Sequence, residues 1–137
     1  MPNISVATGL TEYVFNDKAK VYLNLTDPGF VKLLFNRFTE MEDKDKEWRG
    51  KLKAETDPAK VLDLADEGDK MFRGLIDDIL GDGVADLILG SVSAVAFADG
   101  APVWMNVFLA LFDEMDETIK KEHSNPRIDK YLKKYHR

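Results

Sequence analysis

Apolar residues recur along much of this chain at the three- and four-residue spacing of amphipathic helices. A first stripe of this kind contains Phe30, Leu34, Phe38 and Met41. A second, more continuous stripe contains Val61, Leu64, Ala65, Gly68, Phe72, Leu75, Ile76 and Ile79. They predict helices over residues 28–54 and 58–80, the second being the central core helix. Both begin with Thr-Asp-Pro, in which aspartate can accept the unpaired N–H groups of the first turn and proline needs no donor.

The apolar period changes to two near the N-terminus, where Val21, Leu23 and Leu25 alternate with Tyr22 and Asn24. This alternation is typical of a strand with one buried face. We predict a β-hairpin with strands over 12–15 and 20–25 and a turn over 16–19. Two strands alone are marginally stable in water, so the hairpin must pack on helices or gain a strand from another chain. Residues 1–11 are expected to be a flexible terminus.

In the second half of the chain, glycine and proline residues interrupt the apolar segments and separate short elements. Residues 84–89 suit a short helical turn, whereas residues 91–98 fit either a helix or a buried extended run, and periodicity cannot decide between them. A strongly hydrophobic helix is predicted from Val103 to Ile119, and Asn125-Pro126 opens a last short helix that ends near Tyr135.

The predicted fold is therefore mainly α: an N-terminal β-hairpin, a bundle of about four helices and a short C-terminal helix. We expect one domain over 12–119, followed by a basic tail over 120–137. Within the second helix, Gly68 costs about 1 kcal/mol relative to alanine, so it indicates a close helix crossing. The distal half of the first helix is mostly charged, with Trp48 and Leu52 as its only apolar anchors.

Composition removes several classes of protein. The 137 residues include no cysteine, which excludes disulfides, thiolate metal sites and a cysteine nucleophile. The longest apolar stretch is interrupted by Asp86, Asp99, Gly100 and Pro102, so we expect no membrane span. The N-terminus lacks a basic region followed by an apolar one, which favours an intracellular location. A net charge of −6 argues against nucleic acid as a partner.

The charge is unevenly distributed along the chain. Residues 120–137 contain seven Lys or Arg against two acidic residues, whereas the rest of the chain contains 12 against 23. A basic tail on an acidic body can bind an acidic partner or fold back on the body itself. Lys130, Lys133 and Lys134 are our candidate residues for binding an acidic partner, with a solvated amphipathic turn as the alternative.

No motif predicts a catalytic, cofactor or metal site, and we expect a protein that is not an enzyme. Asp78 and Asp82 resemble half of a calcium loop, but Leu80 and Leu89 occupy ligand positions. The acidic neighbours Asp77 and Asp78 diverge on a helix, so they are expected to be solvated. Both histidines, His123 and His136, lie in the hydrophilic tail.

The most informative segment is 103–112, in which nine of ten residues are apolar. Such all-round hydrophobicity indicates either burial within the domain or a second face covered by a partner. Few helices can be fully surrounded in so small a domain, so we expect a homo-oligomer or a client surface on this helix. The candidate partner-binding residues are Trp104, Phe108, Leu111 and Phe112, for which core packing is the alternative.

The order of these signals resembles a known family. The residues that carry the resemblance are Val14-Phe15-Asn16-Asp17, Val21 to Leu25, Thr26-Asp27-Pro28-Gly29-Phe30, and Ile76 to Gly83. In this arrangement and in the hydrophobic C-terminal helix, the chain is similar, over Val14 to Ile119, to the small tail assembly chaperones of phages and prophages of Gram-positive bacteria.

The resemblance implies a role without catalysis or cofactors. Such a protein coats the tape-measure protein or another tail protein in the bacterial host cytoplasm and keeps its long hydrophobic helices soluble for tail-tube assembly. The alternative is a structural virion component, such as a head–tail connector or a tail terminator.

Overall fold

The computed structural model describes residues 1–122. The elements along the chain are β1 (Thr11–Phe15), β2 (Ala19–Leu23), α1 (Pro28–Ala54), α2 (Pro58–Leu80), α3 (Val84–Leu89), β3 (Phe97–Ala98), β4 (Ala101–Pro102) and α4 (Val103–Glu122). This mainly helical arrangement, with an N-terminal hairpin, confirms the predicted fold class. The predicted helix that ends near Tyr135 and the candidate residues Lys130, Lys133 and Lys134 lie outside the described residues.

Helices α1 and α2 have the predicted bounds, and both start on aspartate caps. The Asp27 carboxylate accepts a hydrogen bond from the Gly29 N–H at 3.0 Å. Asp57 accepts one from the Ala59 N–H at 3.1 Å. The two identical sequence signals therefore produce the same local structure, because each satisfies a donor that has no partner within its helix.

The N-terminal hairpin pairs β1 with β2 in antiparallel register, with Thr11 opposite Leu23 and Phe15 opposite Ala19. Its predicted inner face is confirmed, since Val21, Leu23 and Leu25 are all buried. Strand β2 ends two residues earlier than predicted, at Leu23. The reason is Asn24, whose side-chain oxygen accepts the Thr26 N–H at 2.9 Å and turns the chain toward α1.

The hydrophobic core lies where the hairpin, the first half of α1, the second half of α2, α3 and α4 meet. Its centre is aromatic: the rings of Trp104 and Phe72 stack at 5.2 Å between centroids and 4° between planes. Phe108 packs edge-on against Trp104. The Trp104 indole N–H donates to the Asp45 carboxylate at 3.1 Å, so the buried ring also satisfies its polar atom.

The segment before α4 differs from both predicted alternatives. Instead of a helix or a buried extended run over 91–98, it forms turns and a very short hairpin of β3 and β4. Asp99 and Gly100 form its two-residue turn with φ values of 52° and 80°, and a positive φ at both positions is what such a turn requires. Phe97 is exposed, but the Arg49 guanidinium lies 4.6 Å from its ring centre.

We call residues 46–70 the arm, because this part of α1 and α2 adds no apolar side chain to the core cluster. In the arm the Trp48 ring packs on Gly68, and a Cβ at that glycine would lie 2.5 Å from the ring. The Trp48 N–H donates to the Leu64 carbonyl at 2.7 Å. The close helix crossing predicted at Gly68 is confirmed.

Candidate protein-binding site

The structure places most of the candidate anchors of α4 inside the domain. Trp104, Phe108 and Leu111 are buried in the core of their own chain, so the core-packing alternative describes their position and they form no accessible surface. Phe112 is only half-buried and stacks on the exposed Phe35 of α1, at 4.8 Å between ring centroids. Of the four, Phe112 alone borders solvent in a way that could meet a partner.

An open apolar groove of about 630 Å³ lies between the start of α1 and the second half of α4. The residues that line it are Leu25, Thr26, Pro28, Val31, Met115, Ile119 and Glu122. We call it the α1–α4 groove. Five of these seven side chains are apolar, although the groove is open to solvent. Sequence reasoning missed it, because its two walls come from opposite ends of the chain.

Local structure explains how the groove is built. The Asn24 turn and the Asp27 cap bring the buried Leu25 beneath the first turn of α1. Val31 and Phe35 follow one turn apart along α1, and Met115 and Ile119 do the same along α4. Because residues three or four apart share a helix face, the apolar line continues from the groove to the Phe35–Phe112 pair.

One carboxylate, that of Glu122, lines the groove on α4. The exposed carboxylates of the second half of this helix are Asp113, Glu114, Asp116, Glu117 and Glu122. Lys120 lies 3.6 Å from Glu117, so part of its charge is already paired. An occupant with an apolar face would match the lining of the groove, and a basic group at the edge of that face would match Glu122.

A polar cluster at the base of the arm has a structural role that the sequence did not indicate. The Arg73 guanidinium donates to Asp69 at 2.9 Å, to Asp86 at 2.8 Å, and to the carbonyls of Gly90 and Val92 at 3.0 and 2.7 Å. Partial burial acts to lower the pKa of Arg73, but the hydrogen bonds and charges of Asp69 and Asp86 raise it by more. These contacts fix the loop before β3 to α2.

The prediction that Asp77 is solvated was wrong. Its carboxylate accepts the N–H groups of Gly83 at 3.0 Å and Ala85 at 2.8 Å, which caps the start of α3. The neighbouring Asp78 and Asp82 are exposed. Over residues 1–122 there is no group of three or more His, Cys, Asp or Glu side chains that could hold a metal ion.

Comparisons with protein-family models, with curated proteins and with solved structures found no match for this chain. In the described part of the chain, no helix combines the length and the apolar character needed to cross a bilayer. The groove is thus the feature from which a function can be argued.

Proposed function

We propose that this protein is a non-enzymatic tail assembly chaperone of a phage or prophage, which binds the tape-measure protein during tail assembly in the bacterial cytoplasm. The observation that carries the proposal is the α1–α4 groove, an open apolar channel between two helices. A client helix that lays its apolar face into such a groove contacts it through side chains three and four residues apart. The order of motifs in the sequence points to the same class of protein.

The lining of the groove suits a reversible contact. Burying one aliphatic or aromatic client side chain contributes about 1.5–3 kcal/mol, and two or three such anchors must also offset the cost of association. Each groove is therefore expected to bind its client weakly. Several copies along one long client bind much more tightly in sum, because each later contact is intramolecular. We accordingly expect a multi-copy complex that can be dismantled when the tail tube is built.

The test is co-expression with the tape-measure protein encoded in the same genome, followed by pull-down and measurement of soluble client. The groove variants are Ile119→Glu in the lining and Phe35→Glu in the Phe35–Phe112 pair that continues it; these residues are 36% and 47% exposed and so tolerate a charge. The matched control is Leu62→Glu in the arm, where the side chain is 71% exposed. We expect both groove variants to lose the client while the control keeps it, with all three retaining the helical circular dichroism of the parent.

Two results would contradict the proposal. One is a client that stays insoluble and unbound with the unaltered chain. The other is the presence of the chain at fixed stoichiometry in finished particles, measured by quantitative mass spectrometry. The second result would favour the alternative of a structural virion component, such as a head–tail connector or a tail terminator.

A further inference from the structure

The segment before β1 has the residue pattern of a strand, although it forms none in the structure. We call residues 1–8 the leading segment. Ile4 and Val6 alternate there with the smaller Ser5 and Ala7, and a period of two places Ile4 and Val6 on one face of an extended chain. Their side chains are 85% and 75% exposed. The chain therefore presents an apolar strand face that its own domain does not cover.

Strand β1 has one open edge. Over residues 1–122 it pairs with β2 and with no other strand. It contains no proline, and its charged side chain, Glu12, already accepts a hydrogen bond from Tyr22 within the hairpin. Proline and exposed charges are among the features that prevent a second chain from pairing with such an edge. The edge of β1 is therefore open to an added strand.

A crevice beside β1 provides the place for that strand. Its volume is about 330 Å³, and its lining comes from β1, the adjoining turn and α4, but not from β2. Tyr13 and Phe15 lie opposite the buried Val21 and Ala19 in the hairpin, so they face the core side, yet they are only half-buried. Neighbouring side chains on one face of a sheet lie about 4.5–5.5 Å apart. An added strand with an apolar face would therefore cover both aromatic rings.

The leading segment leaves its own hairpin on the side away from this crevice. The side-chain amide of Asn24, which directly follows β2, donates to the Thr8 carbonyl at 2.8 Å. A Cβ at Gly9 would lie 2.5 Å from the same amide nitrogen. The crevice is on the other side of β1. Each chain thus presents a strand and an open edge at separate places, and such an arrangement joins copies head to tail.

We propose that residues 4–8 of one copy pair with β1 of a second copy as a third strand, with Ile4 and Val6 covering Tyr13 and Phe15. The lengths match, because five residues of the segment meet the five of β1. Residues 1–8 contain no charged side chain that the crevice would have to desolvate. Main-chain hydrogen bonds hold the added strand, and its two aliphatic side chains select which face is buried. This contact involves neither a client nor the α1–α4 groove, so it is independent of the proposed function.

The oligomeric state of the full chain, measured by light scattering over a range of protein concentrations, tests the strand. The strand variant is Ile4→Gln with Val6→Gln. Its matched control, Ser5→Gln with Ala7→Gln, makes the same change on the opposite face of the segment. We expect the parent and the control to form oligomers and the strand variant to be a monomer, with the helical circular dichroism of the parent. A parent that is monomeric at every concentration, or a strand variant that assembles as the parent does, would overturn the proposal.

The edge is tested by a variant of the crevice. Ala110→Arg places a long side chain in the crevice from an exposed position of α4. The control is Leu109→Arg, at a neighbouring position that is 41% exposed and does not line the crevice. We expect the crevice variant to be a monomer and the control to assemble. Equal assembly of the two would assign the contact to another surface.

Mixing the strand variant with the crevice variant gives the most specific prediction. The strand variant keeps an open edge, and the crevice variant keeps an intact strand, so each mixed pair can form one contact. We expect a 1:1 heterodimer and nothing larger, identified by native mass spectrometry with one variant isotopically labelled. A mixture that stays monomeric would contradict strand addition between copies.

Disulfide trapping locates the strand, because the chain contains no cysteine of its own. Ser5→Cys, and in a second variant Ala7→Cys, is combined with Val14→Cys on the outer face of β1. The control combines Ser5→Cys with Leu62→Cys in the arm. We expect linked oligomers from at least one β1 pair, with a yield that rises with protein concentration and exceeds that of the control. A monomeric disulfide formed at a rate independent of concentration would place the segment on its own hairpin, and equal yields in pair and control would show no preferred place; either result overturns the proposal.

Discussion

Helices α1 and α2 lie side by side, yet the two ends of this pair are held in different ways. At the core end, they pack around the stacked rings of Trp104 and Phe72, together with the hairpin, α3 and α4. In the arm, the buried apolar side chain is that of Trp48, whose ring packs against the bare backbone of Gly68. Aspartate caps and charged pairs favour helix formation at both ends of the pair. The amount of buried apolar surface determines how stable each end is.

The exposed charged pairs of the arm do not compensate for its small apolar contact. Lys51 lies 3.7 Å from Glu47, and Lys70 lies 3.0 Å from Asp66, in pairs whose side chains are all well exposed. Exposed pairs one turn apart contribute only about 0.2–0.5 kcal/mol each. The hydrogen bond to Asp66 raises the pKa of Lys70, so this contact favours the folded state at neutral pH. Because both side chains are well exposed, its contribution stays small.

The largest expected effect is at the core end. Trp104→Ala removes a fully buried indole and its hydrogen bond to Asp45, and we expect it to lower the free energy of unfolding by about 3–5 kcal/mol. Urea denaturation measures this change. The control is Leu62→Ala in the arm, which should stay within about 0.5 kcal/mol of the parent. Similar losses for both variants would mean that the two ends are held alike.

Two glycines of α2 provide a matched pair for the arm. Gly68→Ala places a methyl group 2.5 Å from the buried Trp48 ring, and we expect this overpacking to cost about 1–3 kcal/mol. Gly74→Ala meets nothing within 4 Å, so its better helix propensity should stabilise the protein by up to about 1 kcal/mol. Opposite signs in thermal unfolding are expected. Stabilisation by both substitutions would show that Trp48 moves aside without cost.

The two aspartate caps allow the core end and the arm to be compared directly. Asp27 caps α1 at the core end, and Asp57 caps α2 in the arm. Asp27→Ala and Asp57→Ala each remove one cap, at a local cost of about 1 kcal/mol. We expect Asp27→Ala to lower global stability, since its turn is joined to the buried Leu25. Asp57→Ala should mainly speed amide exchange in the first turn of α2. Hydrogen exchange resolved by residue distinguishes these outcomes, and equal global losses would contradict the distinction.

The smallest expected effect on stability comes from a contact on the outer face of the hairpin, between Tyr22 and Glu12. The Tyr22 hydroxyl donates to Glu12 at 2.7 Å; this hydrogen bond, and then the charge of Glu12, raise the pKa of Tyr22 above the ordinary 10.0. A raised pKa in the folded state means that the contact stabilises the fold below about pH 10 and is lost as the pH rises through the pKa of Tyr22.

Glu12→Gln should therefore bring the pKa of Tyr22 back toward its ordinary value. Phenolate absorbance during alkaline titration measures it, and Tyr22→Phe identifies which transition belongs to this residue. An unchanged titration in Glu12→Gln would show that the hydrogen bond does not persist in solution.

The features that the sequence predicted are those with local causes. The bounds of α1 and α2 follow from Asp27, Asp57 and the apolar stripes that begin just after them. The close crossing at Gly68 follows from the cost of glycine inside a helix. In each case the residues that produce the structure lie within a few positions of it.

The features that the sequence did not predict depend on residues that are far apart in the chain, or on patterns only two residues long. Arg73 of α2 donates hydrogen bonds to carbonyl groups in the loop before β3. No hydrophobic pattern in the sequence indicates that this loop lies beside α2. The Asp99-Gly100 turn has a recognised hairpin signature, but its strands are only two residues long. An apolar helix such as α4 does not reveal which side meets the core, so Trp104 could not be assigned. The α1–α4 groove needs the fold itself, because Leu25 and Ile119 come together only there.

The chain contains two tryptophans, and the fold puts one in the arm and the other in the core. Replacing either by phenylalanine leaves a single tryptophan, Trp48 or Trp104, whose emission reports on one region alone. Coincident transitions of the two emission signals would describe a single cooperative unit. Earlier loss of the Trp48 signal would make the arm a separate unfolding unit, able to open while the core and the groove remain intact.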